Sequence, residues 1–317
     1  MKRAALGTFA CSILWLAANP ASGAAAGFQK VSAHFYYLES KTGAANTGAV
    51  VTAEGVLLID PPPEAEIQVM LSALKAVTGR AVRWVVNTDY QQTGAGGLAM
   101  LAKQGAMIIG SKELDRLAET APASDPLQPP SPSPARPSPR FLFGRQLHLF
   151  PAAIEIRILA VKPKARTSGD VIVFLPSEKV LAVGNFFTPS GFPVIDNGSG
   201  EGSAPGWIDG LKQVIESVPL LKSAMPQPKQ EPTAVPEPEK TLGEAVAVIP
   251  GHGAPANLQQ MKSLLATAQR LRADATRAIS AGRSREDFVK SLPLDVFGGY
   301  GNLEAFAGQL FDDLSRK

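Results

Sequence analysis

Three histidines and one cysteine limit the metal and redox chemistry open to this chain. The histidines are His34, His148 and His252, and the cysteine is Cys11. Structural zinc sites take their ligands mainly from cysteine and histidine, and a disulfide needs two cysteines. A cysteine-based zinc site and a disulfide framework are therefore excluded, and the composition disfavours a histidine-rich metal centre.

The hydroxyl side chains give no signature of a nucleophilic hydrolase. The sequence contains no Gly-x-Ser-x-Gly motif, which presents a nucleophilic serine on a strand-to-helix turn in many hydrolases. A serine–histidine pair would have to use His252, with Thr167 or Ser168 as its partner, and no spacing signature supports such a pair. The sequence thus offers no familiar covalent catalyst.

Charge and composition exclude one class of partner. The 317 residues include 31 Lys and Arg against 28 Asp and Glu, which gives a net charge of +3. This charge is too small to draw the chain to nucleic acid, and an aromatic content of 7% does not favour base stacking. We therefore expect no nucleic-acid partner.

The N-terminus is typical of a secretory signal. A basic start at Lys2 and Arg3 is followed by an apolar run, residues 4–18, and then by small residues. The apolar run is shorter than the ~20 residues that a membrane-spanning helix needs. We expect residues 1–24 to be a cleaved signal peptide. The remaining chain, residues 25–317, would then be exported to the periplasm or secreted, with no membrane attachment.

Strands and helices alternate along the rest of the chain. Apolar and β-branched runs predict strands, and apolar residues at helical spacing predict helices. The predicted strands are 28–38, two strands within 48–60 separated by a turn at Glu54 and Gly55, 81–87, 106–110, 141–150, 153–160, 170–175, 178–184 and 245–250. The predicted helices are 67–79, 97–103, 112–119, 207–218, 258–279, 284–291 and 302–315. The order β-rich, α, β, α occurs twice, which predicts an α+β fold with two facing sheets and outer helices, a four-layer αββα sandwich.

Two proline-rich segments interrupt this pattern. Residues 121–139 hold eight prolines, and residues 225–240 have a similar composition. Such segments cannot bury enough apolar surface to fold, so they are predicted to be extended and solvated. We interpret them as insertions in a single domain over residues 25–317.

Five sequence motifs occur in one order and follow or precede predicted strands. They are GVLLIDPP (55–62), VVNTDYQQTGAGG (85–97), ARTSGDVIVFLP (165–176), KVLAVGNFF (179–187) and VIPGHG (248–253). Together they resemble the motifs of the metallo-β-lactamase superfamily, over essentially the whole mature chain. The resemblance implies the αββα fold and, as ancestral chemistry, metal-dependent hydrolysis.

The resemblance also implies where metal ligands would lie. In the family, two metal ions sit at the edge between the sheets, held by histidines and carboxylates from these loops. The corresponding positions here are Asp89, Gln91 and Arg166 for the first metal, Thr93, Gly94 and His252 for the second, and Asn185 for the bridging ligand. Only His252 keeps the family residue. The matching Asp60 and Asp170 are supporting or structural positions in the family.

The substitutions are poor for zinc. Asp89 could still ligate, but Gln91 and Asn185 are neutral carbonyl donors and Gly94 has no side chain. Arg166 is permanently cationic and has no lone pair to give, so it repels a metal ion at short range. We therefore expect no catalytic residues, no bound metal and no other cofactor.

Asp89 and Arg166 would both face the position of the first metal. They could form an ion pair in which the guanidinium replaces the metal, or both could point into a wet pocket. The leading function is a non-catalytic pseudoenzyme that binds a small anionic or polar ligand, or a partner, through the old cleft. The alternatives are a hydrolase with an atypical or single-metal site, for which zinc would be needed, and a structural protein tethered by its proline-rich segments.

Overall fold

The computed structural model describes most of the chain outside its N-terminus and the two proline-rich segments. The described residues are 27–89, 95–113, 115–116, 139–162, 164–196, 201–218, 246–293, 296–297 and 299–316. The predicted signal peptide lies outside them, as do both predicted insertions apart from Pro139. The boundaries of the predicted single domain stay a prediction.

Two mixed β-sheets form the centre of the structure. The first sheet contains β1 (Gln29–Lys30), β2 (Phe35–Leu38), β3 (Thr47–Thr52), β4 (Gly55–Ile59), β5 (Val82–Val86), β6 (Met107–Ser111) and β7 (Phe141–Phe143), in that order. The second contains β8 (Gln146–Leu149), β9 (Ile156–Ala160), β10 (Val171–Leu175), β11 (Val180–Gly184), β12 (Ala247–Pro250) and β13 (Ala256–Asn257). Its strand order is β13-β12-β11-β10-β9-β8.

Strand direction decides which ends of the strands meet. In the first sheet β4 to β7 run parallel to one another, whereas β1 to β4 pair antiparallel. In the second sheet β11 and β12 are parallel, and the other neighbours are antiparallel. The carboxyl ends of β4 and β5 therefore lie together, as do those of β11 and β12.

Helices cover the outer faces of both sheets. They are α1 (Glu64–Val77), α2 (Ala95–Lys103), α3 (Ala204–Ser217), α4 (Leu258–Ser280), α5 (Arg285–Lys290) and α6 (Leu303–Ser315). The longest, α4, begins with a capping box in which Asn257 and Gln260 each bond the other's backbone N–H. Among the described helices, none combines the length and apolarity needed to cross a membrane.

Three apolar layers hold these elements together and confirm the predicted αββα sandwich. In β4, Leu57 and Ile59 face the second sheet, whereas Val56 and Leu58 pack with residues of α1 and α2. In β10, Val173 faces the first sheet, and its neighbours on the strand pack with α3, α4 and α6. Strands buried on both faces explain why their sequences are apolar runs and do not alternate.

Two predicted strands are wrong in detail. Residues 28–38 are a hairpin of β1 and β2, because the Val31 and Ser32 amides turn back to the Phe35 carbonyl. Residues 141–150 are two strands in different sheets, with Gly144 at the break between β7 and β8. Gly144, Arg145 and Gln146 interrupt the apolar pattern here, but this interruption does not show whether the chain turns within one sheet or crosses to the other.

Candidate functional site

The predicted site residues lie where several strands end. Asp60 and Asp89 follow the parallel strands β4 and β5, and Asn185 and His252 follow the parallel strands β11 and β12. Because β10 runs antiparallel to β11, the loop 166–170 before β10 arrives at the same end of the sandwich. Strand topology thus brings residues from all five motifs to one edge between the sheets.

A buried ion pair occupies the centre of this edge. An Arg166 guanidinium nitrogen lies 3.3 Å from Asp89 Oδ2 and 3.9 Å from Asp170 Oδ1. The Arg166 and Asp89 side chains are 7% and 2% exposed, so water screens the pair little. Asn185 donates an amide hydrogen to the same Asp89 oxygen at 3.2 Å. The ion pair considered from the sequence is therefore present.

Two buried aspartates clamp the segments that carry this pair. Asp60 accepts the Thr88 backbone N–H and hydroxyl, each at 2.7 Å. Asp170 accepts the Thr167 backbone N–H at 2.7 Å and its hydroxyl at 2.8 Å. Thr88 precedes Asp89 in the sequence, and Thr167 follows Arg166. Each clamp therefore positions one partner of the ion pair.

Burial makes both clamping carboxyls weak acids. It raises the pKa of Asp60 to about 7, and the negative charge of Asp89 acts in the same direction. Burial likewise raises the pKa of Asp170 to about 7, although the Arg166 charge and the Thr167 hydrogen bonds oppose that shift. Near pH 7 each of these two carboxyls is therefore partly protonated.

Two glycines allow the polar groups to approach the backbone. A Cβ on Gly184, which has φ +51°, would lie 1.8 Å from the Thr88 hydroxyl oxygen. A Cβ on Gly251 would lie 2.2 Å from Asn185 Oδ1. Any larger residue at either position would displace the groups that form the site.

Asn46 contributes to the site but did not appear among the predicted residues. Its side-chain amide donates to the Pro250 carbonyl at 3.0 Å and to the Gly253 carbonyl at 2.8 Å. It precedes β3, whose start lies at the carboxyl end of β4 because the two strands are antiparallel. A polar residue just before a buried strand was the available signal, although its partner lies 204 residues away.

Of the four remaining predicted site residues, the structure describes only His252. Gln91, Thr93 and Gly94 lie outside the described residues. His252 is exposed, and the structure shows no hydrogen bond from its side chain to another described residue. Its position at the rim follows from Gly251, which contacts Asn185.

The other candidate groups are engaged elsewhere. The hydroxyls of Thr167 and Ser168 bond Asp170 and the Glu201 carbonyl, so the structure does not pair them with His252. His34 bonds Glu178 at 2.7 Å, in the turn before β11. His148 lies on β8, where its ring packs near Phe150.

The described donors do not fit the zinc ions that the resemblance implies. Within the described ranges, no group of three or more His, Cys, Asp or Glu side chains could hold a metal ion. The one carboxylate at a ligand position, Asp89, already faces the Arg166 guanidinium. A guanidinium supplies no lone pair, so Arg166 can only oppose a cation there.

Solved structures show the fold, although no family model and no curated protein matches the sequence. A metallo-beta-lactamase from Pontibacter korlensis is 17% identical with a TM-score of 0.56, over 77% of this chain and 99% of that chain. The DIM-1 metallo-beta-lactamase is 15% identical with a TM-score of 0.56, over 77% and 97%. TMB-1 is 15% identical with a TM-score of 0.55, over 78% and 98%. The chain therefore has the metallo-β-lactamase fold.

Proposed function

We propose that the protein is an exported pseudoenzyme of the metallo-β-lactamase fold, which binds a small anionic or polar ligand through its former active-site cleft. The observation that carries this proposal is the Asp89–Arg166 ion pair at positions where the family resemblance implies metal ligands. The side chains at this edge are polar: the buried Asp89 and Arg166, the partly exposed Asn185 and the exposed His252. Export follows from the N-terminal sequence pattern alone.

Electrostatics supports the loss of metal-dependent hydrolysis. At 4 Å and an effective dielectric constant near 20, two like unit charges repel by about 4 kcal/mol, and a divalent ion doubles that figure. The Arg166 guanidinium would impose this repulsion on a metal bound by Asp89. Without a bound metal, water keeps its ordinary pKa and is a poor nucleophile at neutral pH.

The first experiment is the metal content of the mature chain, purified without chelator and then offered zinc, manganese and iron. We expect less than about a tenth of an equivalent of each, because the site lacks the deprotonated donor set that metal binding requires. About one equivalent that disappears in His252→Ala would contradict the proposal. It would instead favour the hydrolase with an atypical site, and hydrolase assays would follow.

A matched pair of variants tests the role of Arg166. Arg166→His removes the fixed cation and adds an imidazole beside Asp89, so it should take up more zinc than the wild type. Lys162→His adds an imidazole at an exposed position and should not change zinc uptake. Equal zinc content in all three proteins would show that Arg166 is not what excludes the metal.

A further inference from the structure

The cluster around Arg166 contains more carboxylates than cations. Three aspartates, Asp60, Asp89 and Asp170, are each no more than 2% exposed. The Arg166 guanidinium lies between two of them, at 3.3 Å from Asp89 and 3.9 Å from Asp170. Above about pH 7, where Asp60 and Asp170 are ionised, an incoming anion would therefore meet a guanidinium whose charge is already opposed, together with the remaining negative charge.

Two acceptor oxygens of the same cluster have no hydrogen-bond donor among the described residues. Asp89 Oδ1 is buried and accepts no hydrogen bond from that part of the chain, although Oδ2 of the same carboxylate is paired. Asn185 Oδ1 is also buried and accepts none from the described residues. The Asn185 amide nitrogen lies 3.2 Å from Asp89 Oδ2, so the two side chains are neighbours. A buried acceptor without a donor costs free energy, which a bound donor would recover.

A small ammonium group suits a carboxylate-rich cluster with buried acceptor oxygens better than an anion or a divalent metal does. It carries one positive charge and three N–H donors, so it can bond Asp89 Oδ1 and a neighbouring acceptor together. A divalent metal would meet twice the repulsion from Arg166, and an acid would add charge to a carboxylate-rich cluster. Asn185 is the partly exposed member of this group, so an amine would reach Asp89 past it.

We propose that the cleft beside Asp89 binds the ammonium group of a small primary amine. This inference rests on the proposed function and narrows its ligand from anionic or polar molecules to cationic hydrogen-bond donors. Asp89 provides the charge and Oδ1, Asn185 provides the second acceptor, and Arg166 holds Asp89 in place.

The test uses the mature protein and three probes: methylammonium, tetramethylammonium and acetate. Backbone amide shifts in an NMR titration are followed at Asn185 and Gly251, which line the site. We expect methylammonium to give saturable shifts, and tetramethylammonium, which has the charge but no N–H, to give none. Asp89→Asn should weaken methylammonium binding by about tenfold or more, because the charged acceptor is lost. The control Asp312→Asn, on the exposed face of α6, should bind like the wild type.

The other possible outcomes distinguish failure of the amine proposal from failure of the proposed function. Saturable binding of acetate, lost in Arg166→Met, would overturn the amine proposal and leave a ligand-binding cleft. Equal shifts with both ammonium ions, or no shift with any probe, would overturn it as well. Uptake of one equivalent of zinc would contradict the proposed function itself. If Asp89→Asn does not fold, Asn185→Leu replaces it, and unchanged methylammonium binding in that variant would overturn the proposal.

Discussion

At the scale of single residues, the ion pair and its two clamps act as one network. Asp60 holds Thr88, which leads into Asp89, and Asp170 holds Thr167, which follows Arg166. Arg166 also contacts Asp170, so one guanidinium joins both halves of the network. Energies in such buried networks are not additive, and only a double-mutant cycle separates the pairwise contribution.

The strength of the pair can be measured by such a cycle. We expect Asp89→Ala and Arg166→Ala each to lower the free energy of unfolding by about 3–5 kcal/mol, because each leaves a buried charge without its partner. The double variant should lose about 1–3 kcal/mol less than the sum of the single variants. Denaturant unfolding measures all four proteins.

An exposed pair gives the control for this cycle. Arg272 and Asp209 lie 2.8 Å apart with side chains 33% and 62% exposed. Solvent screens this pair, so its coupling should be at most about 1 kcal/mol. If the buried pair couples no more strongly than this surface pair, the guanidinium does not replace a metal in holding the site together.

The clamping carboxyls predict how stability depends on pH. The pKa of Asp60 and of Asp170 is about 7 in the folded protein against a usual value of 3.8, so the folded state binds these protons more tightly. Their stabilising contribution is complete below pH ~4 and is lost as the pH rises toward 7, by up to about 1.4 kcal/mol per pH unit for each group.

The corresponding experiment compares the slope of the unfolding free energy with pH. Between about pH 5 and pH 7, Asp60→Asn should show a smaller decrease in stability than the wild type, because one titrating group is gone. Asp312→Asn, which changes an exposed carboxyl, should keep the wild-type slope. Identical slopes in all three proteins would mean that Asp60 is ionised throughout this range.

At the scale of elements, the ends of β11 and β12 determine how closely the two sheets approach. β11 ends at Gly184, which is in the left-handed region and faces the Thr88 hydroxyl at the end of β5. The Gly251 amide then donates to the Gly184 carbonyl at 2.7 Å, which joins the loop after β12 to the same point. Gly184 ends β11 and Gly251 follows β12. Both glycines therefore lie where an apolar strand gives way to the polar loops of the site.

Gly184→Ala tests this close approach. The new methyl would overlap the Thr88 hydroxyl and approach Asp60, so we expect a loss of about 3 kcal/mol or more of unfolding free energy. Gly282→Ala is the control, since Gly282 has φ +70° and open space around its Cβ position. It should cost only about 1–2 kcal/mol, the penalty for a left-handed alanine. Equal losses in thermal or denaturant unfolding would show that contact with Thr88 is unimportant.

At the scale of the whole molecule, polar contacts join the sheets at both ends. At the site end, the Val171 amide donates to the Thr88 carbonyl at 2.7 Å, and Asn46 bonds the loop after β12. At the opposite end, the turn before β11 carries Glu178, which accepts the His34 backbone N–H at 3.1 Å and contacts its ring at 2.7 Å. These contacts fix the alignment of two sheets whose apolar packing alone is not directional.

The polar contacts at the two ends of the sandwich should contribute different amounts to the free energy of unfolding. Asn46→Ala removes one hydrogen bond to the buried Pro250 carbonyl and another to the Gly253 carbonyl at an exposed position. It should cost about 2–3 kcal/mol, mainly because the Pro250 carbonyl loses a donor. Glu178→Gln keeps an acceptor near His34, which is 41% exposed, so it should cost about 1 kcal/mol or less. Denaturant unfolding of both variants measures the difference. A larger loss from Glu178→Gln would mean that the far end, and not the site, holds the sheets in alignment.

The order of the elements, the αββα layers and the positions of the site loops could be predicted from the sequence. These features depend on residues that are close together in the sequence. The spacing of apolar residues indicates which faces of a strand or helix are buried, and the motifs mark where strands end. The change of sheet between β7 and β8 could not be predicted, because the interruption at Gly144, Arg145 and Gln146 looks the same whether the next strand joins the same sheet or the other one. Asn46 was missed for a similar reason, since its partner near Pro250 is distant in the chain.

The amino-acid types alone determined which ligand chemistry is lost, since an arginine has no lone pair in any conformation. Only the tertiary structure decided that Arg166 lies against Asp89, because that contact depends on how β5 and β10 meet across two sheets. It also decided that Asp60 and Asp170 are buried deeply enough to raise the pKa of each to about 7. The ion pair and the burial of the two aspartates both depend on residues that are distant in the sequence and come together only in the folded protein.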